Sequence, residues 1–128
     1  MAEDALGNML AQMDNAEPYA DIDADVFERL KHPERTLKVT LPIERDDGSV
    51  DVYEGYRCQF DSARGPFKGG VRYHPSVTQD EVTALAGWMP WNTAPVDLPY
   101  GGATSGPVVH PTDMSDRRAD ELPRRPTQ

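Results

Sequence analysis

Two runs of alternating apolar residues, joined by a short turn, constrain this 128-residue chain more than any other feature. From Thr36 the side chains of Leu37, Val39, Leu41 and Ile43 fall on one side of an extended backbone. After Arg45, Asp46, Asp47, Gly48 and Ser49 a second alternation carries Val50, Val52, Tyr56, Cys58 and Phe60. Successive side chains of a strand point to opposite faces, so the pattern predicts a β-hairpin, with Gly48 supplying the positive backbone angle of the turn. Pro42 has no N–H to offer a neighbour, which places the first strand at a sheet edge.

Around the hairpin the period lengthens. Leu6, Met9, Leu10 and Met13 recur at i, i+3, i+4 and i+7, one apolar stripe on a short helix. A second helix is expected from Asp23 to Lys31, with Val26, Phe27 and Leu30 inward and Pro33 as its stop. Thr78 and Glu81 form a capping box that opens a helix burying Val82, Leu85 and Met89, with a break at Pro90. Short extended stretches at Ala94 to Leu98 and Pro107 to His110 flank a glycine-bearing turn, and Ser115 to Leu122 is a last helical piece stopped by Pro123. The expected fold is α/β, a small mixed sheet with a β-hairpin and flanking helices in one domain. Its expected parts are a helical segment over 1–35, an α/β core over 36–112 and a polar tail over 113–128.

Charge excludes some functions. The chain has 22 acidic and 13 basic side chains, a net charge of −9, all of it in residues 1–63. A phosphate backbone or an anionic membrane surface would be repelled. With 14 Asp, 10 Arg and only 3 Lys the balance suits a high-salt cytoplasm. The acidic N-terminus lacks the features of a secretory signal, no apolar run approaches the roughly 18 residues of a membrane span, and Cys58 has no partner for a disulfide. The chain reads as soluble and cytoplasmic.

Within this acidic chain the window Ser62 to Pro75, SARGPFKGGVRYHP, carries Arg64, Lys68 and Arg72 and no acid. Consecutive glycines let backbone N–H groups converge on an oxyanion, so Lys68, Gly69, Gly70 and Arg72 suit a carboxylate or phosphate; a glycine turn with solvated cations is the plainer alternative. The cluster from Gly101 to Gly106 fails as a phosphate loop because Pro107 stands where the lysine is needed, and no GxGxxG exists. His32, His74 and His110 each precede a proline and are far apart, so they read as turn residues and no metal site is expected. Trp88, Trp91 and Cys58 read as core residues.

The run YEGYRCQFDSARGPFKGGVRYHPSVTQDEVTALAGWMPWNTAPVDLPYGGATSG resembles the N-terminal substrate and dimerisation domain of glutamate dehydrogenases, in the Glu/Leu/Phe/Val dehydrogenase family. The resemblance extends over roughly residues 6 to 122. It implies reversible, NAD- or NADP-dependent oxidative deamination of L-glutamate to 2-oxoglutarate and ammonia in oligomers, with substrate held between this domain and a following nucleotide-binding domain. By the same resemblance Lys68 matches the lysine that pairs with the substrate's side-chain carboxylate, beside Gly69 and Gly70, and Met89 matches a substrate-lining position.

Two departures change what the resemblance implies. Asn92 stands where the family has a lysine for the α-carboxylate, and Thr104 stands where GG-x-KGG has the catalytic lysine, with Ser105 in place of a motif glycine. A hydroxyl cannot supply the missing charge, and losing one preorganised electrostatic group costs about 10²- to 10³-fold in rate. The family's catalytic aspartate and cofactor domain would lie beyond Gln128, so this chain is expected to bind no cofactor. The expected role is a non-catalytic associating or regulatory subunit, a homo-oligomer or a hetero-oligomer with a full-length glutamate dehydrogenase. A degenerate gene fragment and a residual, weak dicarboxylate-binding module are the alternatives.

Overall fold

The computed structural model describes residues 4–122; Pro123, expected to stop the last helix, lies outside the described residues. The elements run α1 (Ala5–Ala16), α2 (Ala24–Arg29), β1 (Arg35–Glu44), β2 (Val50–Asp61), β3 (Phe67–Lys68), α3 (Gln79–Thr93), β4 (Gly101–Pro107) and α4 (Asp116–Glu121). The four strands form one mixed sheet in the order β1-β2-β4-β3. The hairpin pairs from Arg35 with Gln59 to Glu44 with Val50, Gly48 has φ 84°, and Pro42 lies on the edge strand. β4 runs antiparallel to β2 and parallel to β3.

The helices form where local chemistry allows them. Asp4 caps α1 by accepting from Gly7 N, Asp23 caps α2, and Thr78 accepts from Glu81 N at 3.2 Å to open α3. Met9 and Met13 of α1 and Phe27 of α2 pack with Cys58, Phe60, Val82 and Ala86 on one sheet face. A second core joins Leu41 and Ile43 to Val109 and Leu122 on the other face. There α4 is fastened to the hairpin: Arg118 pairs with Asp51 at 2.6 Å and also bonds Tyr53, while Arg117 Nη2 donates to Arg45 O at 3.1 Å.

The register corrects several expectations. The apolar sets of β1 and β2 face opposite sides, because Leu41 lies opposite Tyr53 while Thr36 lies opposite Cys58. On the face of β2 that carries Cys58 and Phe60, helices reach only the Tyr56 to Phe60 half, so Val50 and Val52 are 58% and 65% exposed. Val26 faces solvent rather than inward, because Phe27 alone of α2's own residues is buried. The buried side of α3 is wider than Val82, Leu85 and Met89: Thr83, Ala84, Ala86 and Gly87 are buried, whereas Leu85 and Met89 are only half-buried. Trp88 is half-buried and Trp91 is exposed, so the pair does not close the core.

The largest correction concerns the glycine cluster. Ala94 to Leu98 is a turn, and Gly101 to Pro107, read as a turn with its flank, is the buried interior strand β4. Weak strand propensity is overridden here by close packing between two strands and α3. Nor does Pro90 end its helix, since Ala94 N still donates to Pro90 O at 3.0 Å.

Candidate functional site

The two glycine-rich motifs, KGGVR and GGATSG, lie side by side. Lys68 is the register partner of Gly102, Ser105 N donates to Gly70 O at 3.0 Å, and Arg72 N donates to Ser105 O at 2.9 Å. Gly69 permits this approach, because a Cβ there would lie 1.3 Å from Ala103 O. Positive φ among the described glycines is confined to Gly48 and Gly65, and Gly69 and Gly70 lie in neither helix nor turn, so the left-handed step of an anion-binding nest is missing there. Arg72 is committed to Glu81 at 3.0 Å, while Lys68 is exposed and has no ion-pair partner among the described residues.

Gly102 is the hub of the candidate positions. Register places Lys68, Gly102 and Thr104 on the sheet face that α3 covers, Thr104 being the partner of Cys58. Pro90, next to Met89, rests on Gly102: a Cβ at Gly102 would meet its Cδ at 2.2 Å. Lys68 and Thr104 thus share the covered face with Gly102, Met89 precedes the proline that rests on it, and Asn92 lies two residues beyond Pro90, exposed on the last turn of α3. Thr104 is 4% exposed and its hydroxyl donates to Ala103 O at 2.8 Å. Burial pushes the Cys58 thiol beside it upward in pKa.

Three supports escaped sequence reasoning. Thr93 Oγ1 reaches Tyr100 O at 3.2 Å and Leu98 N donates to Thr93 O at 3.1 Å, which ties the end of α3 to the start of β4. Arg57 Nη1 donates to Ser105 Oγ at 3.0 Å on the opposite face. The Pro90–Gly102 contact is the third; its only trace in the sequence is a helix-breaking residue followed by a double glycine.

The β3–α3–β4 crossover lacks the G-x-G-x-x-G loop, and α3 begins with Asp80 and Glu81, which would repel a pyrophosphate. That crossover therefore offers no pyrophosphate cradle of the dinucleotide-binding kind. His74 Nδ1 is occupied within its own turn, accepting from Ser76 N at 3.1 Å, and among the described residues no group of three or more His, Cys, Asp or Glu could hold a metal ion. No helix among them is long and apolar enough to cross a membrane.

Residues 33–128 match the sequence model of the Glu/Leu/Phe/Val dehydrogenase dimerisation domain. The chain belongs to the Glu/Leu/Phe/Val dehydrogenase family. It is 62% identical over 123 residues to glutamate dehydrogenase A2 of Halobacterium salinarum, covering 96% of this chain and 30% of the relative. It is 52% identical over 126 residues to the NAD-specific glutamate dehydrogenase A of the same organism, covering 98% and 29%. The crystal structure of glutamate dehydrogenase from Peptoniphilus asaccharolyticus superposes with TM-score 0.89 at 40% identity, covering 94% of this chain and 30% of the other. The hetero-hexameric glutamate dehydrogenase of Thermus thermophilus, in its Leu-bound form, gives 0.90 at 39%, covering 98% and 30%. The chain thus spans about 30% of the length of the relatives it matches. These likenesses bear out the expected family and α/β fold.

Proposed function

We propose that this chain is a non-catalytic, associating member of the glutamate dehydrogenase family, acting in the cytoplasm by joining family subunits. The observation that carries the reading is Thr104. At the position that the resemblance assigns to the catalytic lysine stands a 4%-exposed neutral side chain whose hydroxyl is given to the neighbouring carbonyl. It offers no cation to a developing oxyanion, and Asn92 offers none to a carboxylate. Association is supported by the match of residues 33–128 to the family's dimerisation domain. The Asp-rich, Lys-poor composition supports a high-salt setting.

The test has two arms. The purified chain is assayed for turnover of glutamate and of 2-oxoglutarate with NAD or NADP, and is tagged for capture from an extract containing a full-length glutamate dehydrogenase. No turnover together with recovery of the dehydrogenase supports the reading. Turnover that tracks the purified chain refutes the non-catalytic part, and a chain that neither self-associates nor captures the dehydrogenase refutes the rest. A second reading rests on Lys68, exposed and without an ion-pair partner among the described residues, which can still receive one carboxylate. Micromolar binding of 2-oxoglutarate abolished by Lys68→Ala would favour a binding module instead.

A further inference from the structure

One register row crosses the whole sheet on the face away from α3: Leu37 on β1, Arg57 on β2, Ser105 on β4 and Val71 at the bridge beyond it. Leu37 is 42% and Val71 47% exposed, while α4 packs at the other end of this face, with Leu122 against Leu41 and Ile43. Arg57 is half-buried; among the described residues its guanidinium bonds Ser105 Oγ and has no carboxylate partner. Arg35, one row away and exposed, has none either. A half-desolvated guanidinium flanked by exposed aliphatic side chains suits a carboxylate set in an apolar surround.

The same chain carries the complement. Over the approach to α2 and its first turn, Asp21, Asp23 and Asp25 are exposed and without cationic partners among the described residues, interleaved with Ile22 and Val26 at 47% and 48% exposure. That segment belongs to the face where α2 packs through Phe27, opposite the Arg57 row, so the two patches cannot meet within one molecule. They can meet only between molecules. We propose that the Arg57 face binds the Asp21 to Val26 segment of a second copy of this chain, a head-to-tail contact that propagates into a ring or an open array. The proposal deepens the associating role and rests on it.

The test uses the full chain and two near-isosteric variants in sedimentation velocity at micromolar concentration, with circular dichroism as the folding control. One variant carries Arg35→Gln and Arg57→Gln; the other carries Asp21→Asn, Asp23→Asn and Asp25→Asn, which keeps an acceptor at the α2 cap. Each lost charge-assisted bond should weaken association roughly tenfold to a hundredfold. Neither variant should then self-associate, yet each keeps one intact patch, so a mixture of the two should assemble and stop at two chains. Folded variants that assemble like wild type overturn the surface while leaving the associating role standing if a dehydrogenase is still captured. A mixture that stays monomeric overturns the head-to-tail geometry. A wild-type chain that neither self-associates nor captures a dehydrogenase overturns both.

Discussion

Replacing Gly102 with alanine should destabilise the domain at the point where α3 meets the sheet. The added methyl would lie 2.2 Å from Pro90 Cδ, 2.5 Å from Pro90 Cγ and 2.6 Å from Ala86 O. Neither group can swing away, since one is a closed ring and the other a helical carbonyl. Overpacking of this kind costs about 1 to 3 kcal/mol, and rigid neighbours favour the upper end. Removing a strand glycine restores about 0.5 to 1 kcal/mol of backbone entropy, leaving a net loss of about 2 kcal/mol. For a chain of this size that corresponds to a melting temperature lower by roughly 6 to 8 °C. Pro90→Ala removes the ring and returns an N–H to Ala86 O, so in the Gly102→Ala background it should recover part of the loss. The Ala86 carbonyl remains close, which keeps the rescue incomplete. Thermal melts of the two single variants and the double variant form a cycle whose coupling should exceed about 0.5 kcal/mol. A Gly102→Ala protein that melts with wild type, or two substitutions whose effects merely add, would show that the Pro90–Gly102 contact does not set the end of α3.

Thr104→Lys should destabilise more than Thr104→Met, because it places an ammonium at a 4%-exposed position beside Cys58; the deficit should shrink as pH rises toward the lysine range, and equal melting of the two variants would show that the position opens to water. Asp51 is held below the ordinary carboxylate range chiefly by the hydrogen bond from Arg45, with Tyr53 and the charges of Arg45 and Arg118 adding to it. A carboxyl whose folded pKa is lowered contributes fully above its unfolded value of about 3.9, and the contribution fades as pH falls through the lower folded value. Acid melts should therefore show a loss of stability below pH of about 4 that is smaller in Asp51→Asn; identical acid limbs would remove Asp51 from the account. Cys58 is fully buried with its pKa pushed up by burial, so the folded chain should resist thiol reagents at mildly alkaline pH and label fully in denaturant. Stoichiometric labelling of the folded protein would contradict that placement.

How much of this was legible depends on the range of the interactions. The hairpin, its Gly48 turn, the edge position of Pro42 and the Met9 and Met13 stripe are set by neighbours within a few residues, and pattern alone found them. The two faces of the hairpin were not legible, because the choice between Tyr53 and Cys58 as the partner face of Leu41 is decided by where distant helices land. β4 was missed for the same reason: a sequence of small residues has low strand propensity until β2, β3 and α3 close around it. Met89, Asn92 and Thr104 came from the resemblance, Lys68 also from its acid-free glycine window, and nothing in their spacing indicated the Pro90–Gly102 contact between them.

The hydroxyls at 104 and 105 connect fold to function. In a buried strand an unpaired hydroxyl costs about 1 to 3 kcal/mol, so two idle ones would be a heavy burden on a small domain. Neither is idle. Thr104 donates to Ala103 O, and Ser105 receives Arg57 at 3.0 Å on the opposite face. The positions where the resemblance expects a catalytic cation and a bare glycine are therefore satisfied within the sheet. Arg57 is left short in this exchange, since a serine hydroxyl uses only part of a guanidinium's donors and supplies no counter-charge. The substitutions that make Thr104 and Ser105 poor at chemistry are compatible with a sound strand, and the residual demand at Arg57 is one that a second molecule can meet.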